Sequence, residues 1–140
     1  MPLELESLEK AVTALGKVLA KSDDAEFMNS VDEIARNAIK SGVIQRFEYT
    51  YELCWKSMKR WIEMNVSATE ADGVTRRELF RQAAEQGLIV DVEQWMHHHD
   101  ARNRMPHTYE PATAELVYMA AHGFAYDAAL FLKALKARTD

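Results

Sequence analysis

The sequence predicts an all-α protein, an up-and-down bundle of four main helices with additional short ones. Three observations lead there. Only five Gly and three Pro punctuate 140 residues. Apolar side chains recur every three or four positions almost without interruption. No segment shows the strict alternation of a half-buried strand.

Leu5, Leu8, Val12, Leu15, Val18 and Leu19 step by three and four, so residues 3–21 read as an amphipathic helix. Ser22–Asp23–Asp24 then offers a turn and N-cap candidates. Residues 25–40 carry Met28, Val31, Ile34, Ala35, Ala38 and Ile39 in the same rhythm, and Ser41–Gly42 either breaks or weakens the helix. Residues 43–64 give the strongest signal, with Phe47, Tyr51, Cys54, Trp55, Met58, Trp61 and Ile62 on one stripe that reads as core. Tyr49 and Leu53 point almost opposite to Phe47, so this helix is expected to be covered on two sides, the second by this chain or by a partner chain.

Residues 65–74, with Asp72–Gly73, read as a loop. Thr75 can cap a helix reaching Gln86, with Glu78 completing a capping box and Gly87 at the C′ position. Asp91 can cap a further helix through Trp95 to about Arg104. Pro111 suits the first turn of a last helix running to Arg138, with Leu116, Val117, Ala120, Phe124, Phe131 and Leu135 inward.

The length suits one domain over residues 1–140. Apolar residues make up 48% and charged residues 28%, a globular composition. No run of about 18 apolar residues exists to span a membrane. The start, Met1–Pro2–Leu3–Glu4, has neither the basic nor the apolar region of a secretory leader. Cys54 is the sole cysteine, which precludes an internal disulfide and fits a reducing cytoplasm. A net charge of −5 argues against a broad basic face for nucleic acid, and leaves room for a nuclease whose positive charge is confined to one cleft.

The candidate chemistry is concentrated in Arg102–Asn103–Arg104–Met105–Pro106–His107–Thr108–Tyr109. Arg stays charged and matches phosphate geometry, and His carries protons near neutral pH. Tyr109 could be a third catalytic group or a site of modification. Two readings compete: a site acting on RNA, and a surface turn where polar residues meet by chance. On an ideal helix Arg102 and His107 would point about 140° apart. Pro106, however, would clash with the Arg102 carbonyl and disfavours a helical Met105, so the helix should end near Arg104–Met105. His107 and Tyr109 then lie on the turn into the last helix, whose N-terminus favours an anion. His97–His98–His99 reads as a solvated polar face, since neighbours about 100° apart cannot converge on one ion. Glu93 and His97 could share a metal, but no second pair completes a site. No phosphate-binding loop, dinucleotide fingerprint, serine elbow or zinc motif occurs.

Two stretches carry a resemblance. Val43–Ile44–Gln45–Arg46–Phe47–Glu48–Tyr49–Thr50–Tyr51–Glu52–Leu53–Cys54–Trp55–Lys56 resembles the signature of the nucleotidyltransferase substrate-binding protein family, part of the HEPN superfamily of helical bundles. Gly87–Leu88–Ile89, Trp95, Arg102–Asn103 and His107–Thr108–Tyr109 match the same family in order, over roughly residues 42–135. The resemblance implies a HEPN toxin of a toxin–antitoxin pair, a metal-independent, homodimeric ribonuclease with its cleft between protomers and no cofactor. It implies a minimal nucleotidyltransferase (MNT) as cognate antitoxin, which silences the toxin by transferring AMP to a tyrosine. Older usage implies instead a non-catalytic substrate-binding subunit. Carried onto this chain, Arg102 and His107 would be catalytic, Asn103 supporting, and Tyr109 the AMP acceptor. The chain departs from the pattern at Pro106, where a small polar residue is expected, and this is expected to shift His107 and weaken activity.

Overall fold

The computed structural model describes residues 3–138. Thr139, Asp140, Met1 and Pro2 lie outside them, and with the last two part of the reading of the N-terminus. Six helices and one short 3-10 turn are formed, and no strand occurs among the described residues. They are α1 (Glu6–Asp23), α2 (Ala25–Ser30), α3 (Glu33–Asn65), α4 (Arg76–Glu85), α5 (Val92–Asn103) and α6 (Pro111–Arg138), with the 3-10 turn at Met105–His107. The long helices α1, α3 and α6 pack on one another; α5 packs on α6 and α3, and α4 rests on α5 and α3.

The capping residues explain most of the boundaries. Asp24 Oδ1 accepts from the Phe27 N–H at 3.0 Å and opens α2. Thr75 Oγ1 accepts from the Glu78 N–H at 3.1 Å. The reciprocal half of the expected capping box is not made, because the Glu78 carboxylate turns to Arg81, whose Nε lies at 2.8 Å. Asp91 Oδ1 accepts from the Gln94 N–H at 3.1 Å. Gly87 takes φ +76°, and the flanking bonds from Gly87 N to Ala84 O and Leu88 N to Ala83 O form a Schellman motif.

The expected helix over 25–40 is corrected. It stops at Ser30, and a new helix begins at Glu33, because Asp32 Oδ1 accepts from the Ala35 N–H at 2.8 Å. Arg36 reaches back to the Met28 carbonyl at 3.1 Å and closes the corner. Gly42 does not break the chain: α3 runs 33 residues through it, about 50 Å at helical rise. Gly42 lies at the crossing with α1, where a Cβ would meet Val18 Cγ2 at 3.8 Å.

The core is aromatic at its centre. Trp95 sits 5.7 to 5.9 Å from the rings of Phe80, Phe124 and Phe131, and Phe47 meets Phe124 edge-on at 5.1 Å. Such pairs add about 0.5–1.5 kcal/mol each beyond area burial. Cys54 is fully buried on the same stripe of α3, and burial pushes its thiol pKa up.

Some positions expected inward face solvent. Ile34 is 81% and Leu116 56% exposed. The inward stripe of α6 is Val117, Tyr118, Ala121 and Phe124, one position beyond Leu116. Leu116, Met119, Tyr126 and Leu130 instead form an exposed apolar stripe at 3-7-4 spacing, with Gly123 between. Tyr49 also stays exposed and Leu53 half-buried, so among the described residues the second side of α3 is only partly covered. No helix among them is long and apolar enough to cross a membrane.

Candidate functional site

Arg102 lies in the last turn of α5, and its guanidinium reaches across to α3. Its Nε donates to Glu52 Oε1 at 2.6 Å, and Glu48 Oε2 stands 3.7 Å from Nη2. Glu48 and Glu52 are one helical turn apart, so both carboxylates share one face of α3. The Trp55 indole N–H donates to the other Glu52 oxygen at 2.8 Å. Partial burial acts to raise the Glu52 pKa, but the bonds from Arg102 and Trp55 and the guanidinium charge outweigh it and hold the carboxyl below its usual range. The Trp55 ring is in turn covered by the Arg76 guanidinium, centred 3.6 Å away.

A second chain of contacts adjoins the first. The Tyr51 hydroxyl lies 2.8 Å from His99 Nδ1, and the Asn103 amide donates to His99 Nε2 at 3.2 Å. A donor at Nε2 leaves the ring proton on Nδ1, facing the Tyr51 oxygen. Burial, then the charge of Arg76, lowers the His99 pKa and favours the neutral ring. Burial likewise raises the Tyr51 pKa, keeping it a phenol.

Beyond Asn103 the helix ends as the proline dictates. Met105 is not extended, however. It begins the 3-10 turn, closed by bonds from His107 N to Arg104 O and Thr108 N to Met105 O. His107 and Tyr109 are exposed, with ring centroids 6.2 Å apart. The start of α6 already has a carboxylate beside it, since Glu110 Oε2 accepts from Thr113 Oγ1 at 3.3 Å.

The sequence-derived residues thus separate into three contacts: Arg102 with Glu52 and Glu48, Asn103 with His99, and His107 with Tyr109. No hydrogen bond joins Arg102 to His107 among the described residues. The solvated face expected for the three histidines is corrected. Only His97 is exposed. His98 is buried, 2.6 Å from Asp127 Oδ2, and His99 serves the network above. Burial lowers the His98 pKa against the opposing pull of Asp127. Glu93 pairs with Arg77 rather than His97. Glu48, Glu52, Tyr51 and His99 were missed as site residues, although His99, Arg102 and Asn103 have the i, i+3, i+4 spacing of one helix face.

The other matched motif, Gly87–Leu88–Ile89 with Trp95, lines a cavity of about 350 Å³ walled by Phe131 and Asp127. It contains none of Arg102, Asn103, His107 and Tyr109.

Fold and site together define a small helical bundle with an arginine-centred polar cluster where α5 meets α3. The chain belongs to the family described as nucleotidyltransferase substrate binding protein like, whose model matches residues 3–137. It is 30% identical over 139 residues to a Haemophilus influenzae protein named probable ribonuclease HepT, covering 99% of this chain and 95% of that one. A solved Haemophilus influenzae structure, described as the fold of a substrate binding domain of a nucleotidyltransferase, superposes with a TM-score of 0.89 at 29% identity. That match covers 95% of this chain and 99% of the other. A Thermus thermophilus crystal structure shares the fold at a TM-score of 0.68 and 23% identity, covering 90% and 98%.

Proposed function

We propose that this chain is a metal-independent endoribonuclease, the HEPN toxin of a toxin–antitoxin pair. The observation that carries the reading is the Arg102 guanidinium, held by two carboxylates of α3 one short turn before an exposed histidine. The relative named as a ribonuclease supports it. RNA supplies its own nucleophile, the 2′-hydroxyl. That oxygen bonds to phosphorus as the bond to the 5′-oxygen breaks. His107 takes the 2′-hydroxyl proton or returns one to the leaving oxygen, and Arg102 stabilises the charge gathering on the phosphorane. Asn103 supports the site through His99. The products are a 2′,3′-cyclic phosphate and a 5′-hydroxyl.

Residues 1–140 form one domain in this reading, supported by a common core reaching from Leu8 to Leu135. The protein acts as a cytoplasmic homodimer, supported by the exposed stripe of α6, and two Arg–His sets then share one groove. A cognate MNT antitoxin transfers AMP from ATP to Tyr109, the phenol oxygen losing its proton and bonding to the α-phosphorus as pyrophosphate leaves. Tyr109 is 75% exposed and so reachable. The added phosphate repels RNA.

The test is labelled RNA incubated with the wild type, Arg102→Ala and His107→Ala, with and without EDTA. Cleavage by the wild type alone, unaffected by EDTA and leaving cyclic phosphate ends, is expected. Undiminished cleavage by His107→Ala would remove its assigned role.

A second reading is a non-catalytic substrate-binding subunit of a nucleotidyltransferase. Two carboxylates already neutralise Arg102, which favours it, as does the substrate-binding description of the solved relative. Absence of cleavage under every condition supports this alternative.

A further inference from the structure

The face of α3 that holds Arg102 continues past the site with its charge reversed. Glu48, Glu52, Lys56, Lys59 and Glu63 follow one another at spacings of four, four, three and four, which keeps them on one side of the helix. Beside this row lies a groove of about 610 Å³ lined by Trp55, Lys56, Lys59 and Arg60 and also by the carboxylates Glu4 and Glu63. Arg102 and Arg77 are taken up by glutamates. Lys56, Lys59 and Arg60, in contrast, make no salt bridge among the described residues. Lys56 and Arg60 are exposed and Lys59 half-buried. Three cations on adjoining turns against two lining carboxylates leave the groove with a positive balance that favours an anion. The groove adjoins the candidate centre through Trp55, which lines it and bonds to the same Glu52 that holds Arg102. By helical rise, Lys59 lies about 10 Å along α3 from Glu52.

We propose that Lys56, Lys59 and Arg60 form a phosphate-binding track for the single-stranded RNA that flanks the bond at Arg102. The proposal rests on the ribonuclease reading for its substrate and adds where the strand runs. It reconciles a chain of net charge −5 with an anionic substrate, since three cations line one groove. The contacts are to backbone phosphate, so they set affinity and register and leave base preference to other groups.

The experiment is fluorescence anisotropy with a labelled 2′-O-methyl oligouridylate, which lacks the attacking hydroxyl and stays intact. The wild type is compared with the triple variant Lys56→Ser, Lys59→Ser, Arg60→Ser, and with a charge-retaining control, Lys56→Arg, Lys59→Arg, Arg60→Lys. Thermal melting checks that all three fold alike. Loss of three phosphate contacts is expected to weaken binding about tenfold at low salt and to flatten the log Kd against log salt slope by about 2. The control should bind like the wild type. Equal affinity and slope in the triple variant, or no binding by the wild type, overturns the track. Cleavage of unmodified oligouridylate, run in parallel, separates the two readings. Salt-dependent binding without cleavage leaves the track standing and removes the ribonuclease. Cleavage that the triple variant performs at wild-type KM and kcat removes the track alone.

Discussion

Arg102 Nε donates to Glu52 Oε1 at 2.6 Å across a sequence separation of 50 residues. This bond sets the direction of the guanidinium. A flexible arginine without it would have to be ordered by the substrate, at the cost of side-chain entropy. In the ribonuclease reading Glu52 is a positioning residue, and Glu52→Ala should lower kcat by roughly ten- to a hundredfold while KM stays nearly level. Glu52→Gln keeps an acceptor for Nε and should retain most activity. Steady-state kinetics on one RNA substrate decides, and an unchanged kcat in Glu52→Ala would mean that Arg102 is oriented by other means.

The glycines at 42 and 87 should respond oppositely to alanine. Gly42 lies inside α3 with only ordinary contact at 3.8 Å awaiting a Cβ, so Gly42→Ala should stabilise by about 0.5–1 kcal/mol. Gly87 holds φ +76°, and its Cβ would fall 2.6 Å from Arg138 Nη2. Arg138 can move aside but the backbone cannot change sign, so Gly87→Ala should destabilise by about 1–2 kcal/mol. Urea unfolding at constant m-value measures both.

His122 offers a pH-dependent tether between α6 and the end of α1. Its Nε2 lies 2.9 Å from Asp23 Oδ1 and its Nδ1 3.1 Å from the Tyr118 carbonyl. Burial acts to lower its pKa, but the Asp23 carboxylate outweighs it and the net shift is upward. A base raised in the folded state stabilises fully below its unfolded pKa, near 6.5, and the contribution fades as pH climbs through the folded value. His122→Gln should therefore cost about 0.5 kcal/mol near pH 5.5 and almost nothing near pH 8.5. Paired denaturation curves check this. A cost that grew with pH would contradict the assigned direction.

In the homodimer reading proposed above, the exposed stripe of α6 should hold the two chains together. Met119 and Tyr126 are 59% and 68% exposed and flank Gly123, where two helices can approach closely. Met119→Glu with Tyr126→Glu places like charges on a two-fold contact and should convert dimer to monomer in sedimentation velocity. A dimer that survives must use another face, with exposed Tyr49 on α3 the next to alter.

Local signals were legible in the sequence wherever one residue decides the backbone. Thr75, Asp91, Gly87 and Pro106 each mark a boundary that the structure keeps. Asp32 acts through the same chemistry, but the apolar rhythm across residues 25–40 hid it. Distant pairing was not legible. Glu52 is 50 residues from Arg102, and Asp127 is 29 from His98, so neither partner leaves a trace in local spacing. The three histidines show the limit clearly. Helical geometry separates their directions, but which direction meets the core depends on α6 and α3, which sequence spacing on α5 does not contain.

Cys54, the one thiol of the chain, is wholly enclosed on the central stripe of α3. It is therefore an unengineered clock for the opening of the bundle. A thiol-reactive dye finds nothing to label while α3 stays docked, and labels each molecule once, when that helix is released. The rate at which colour appears reports that release without denaturant and without a substitution.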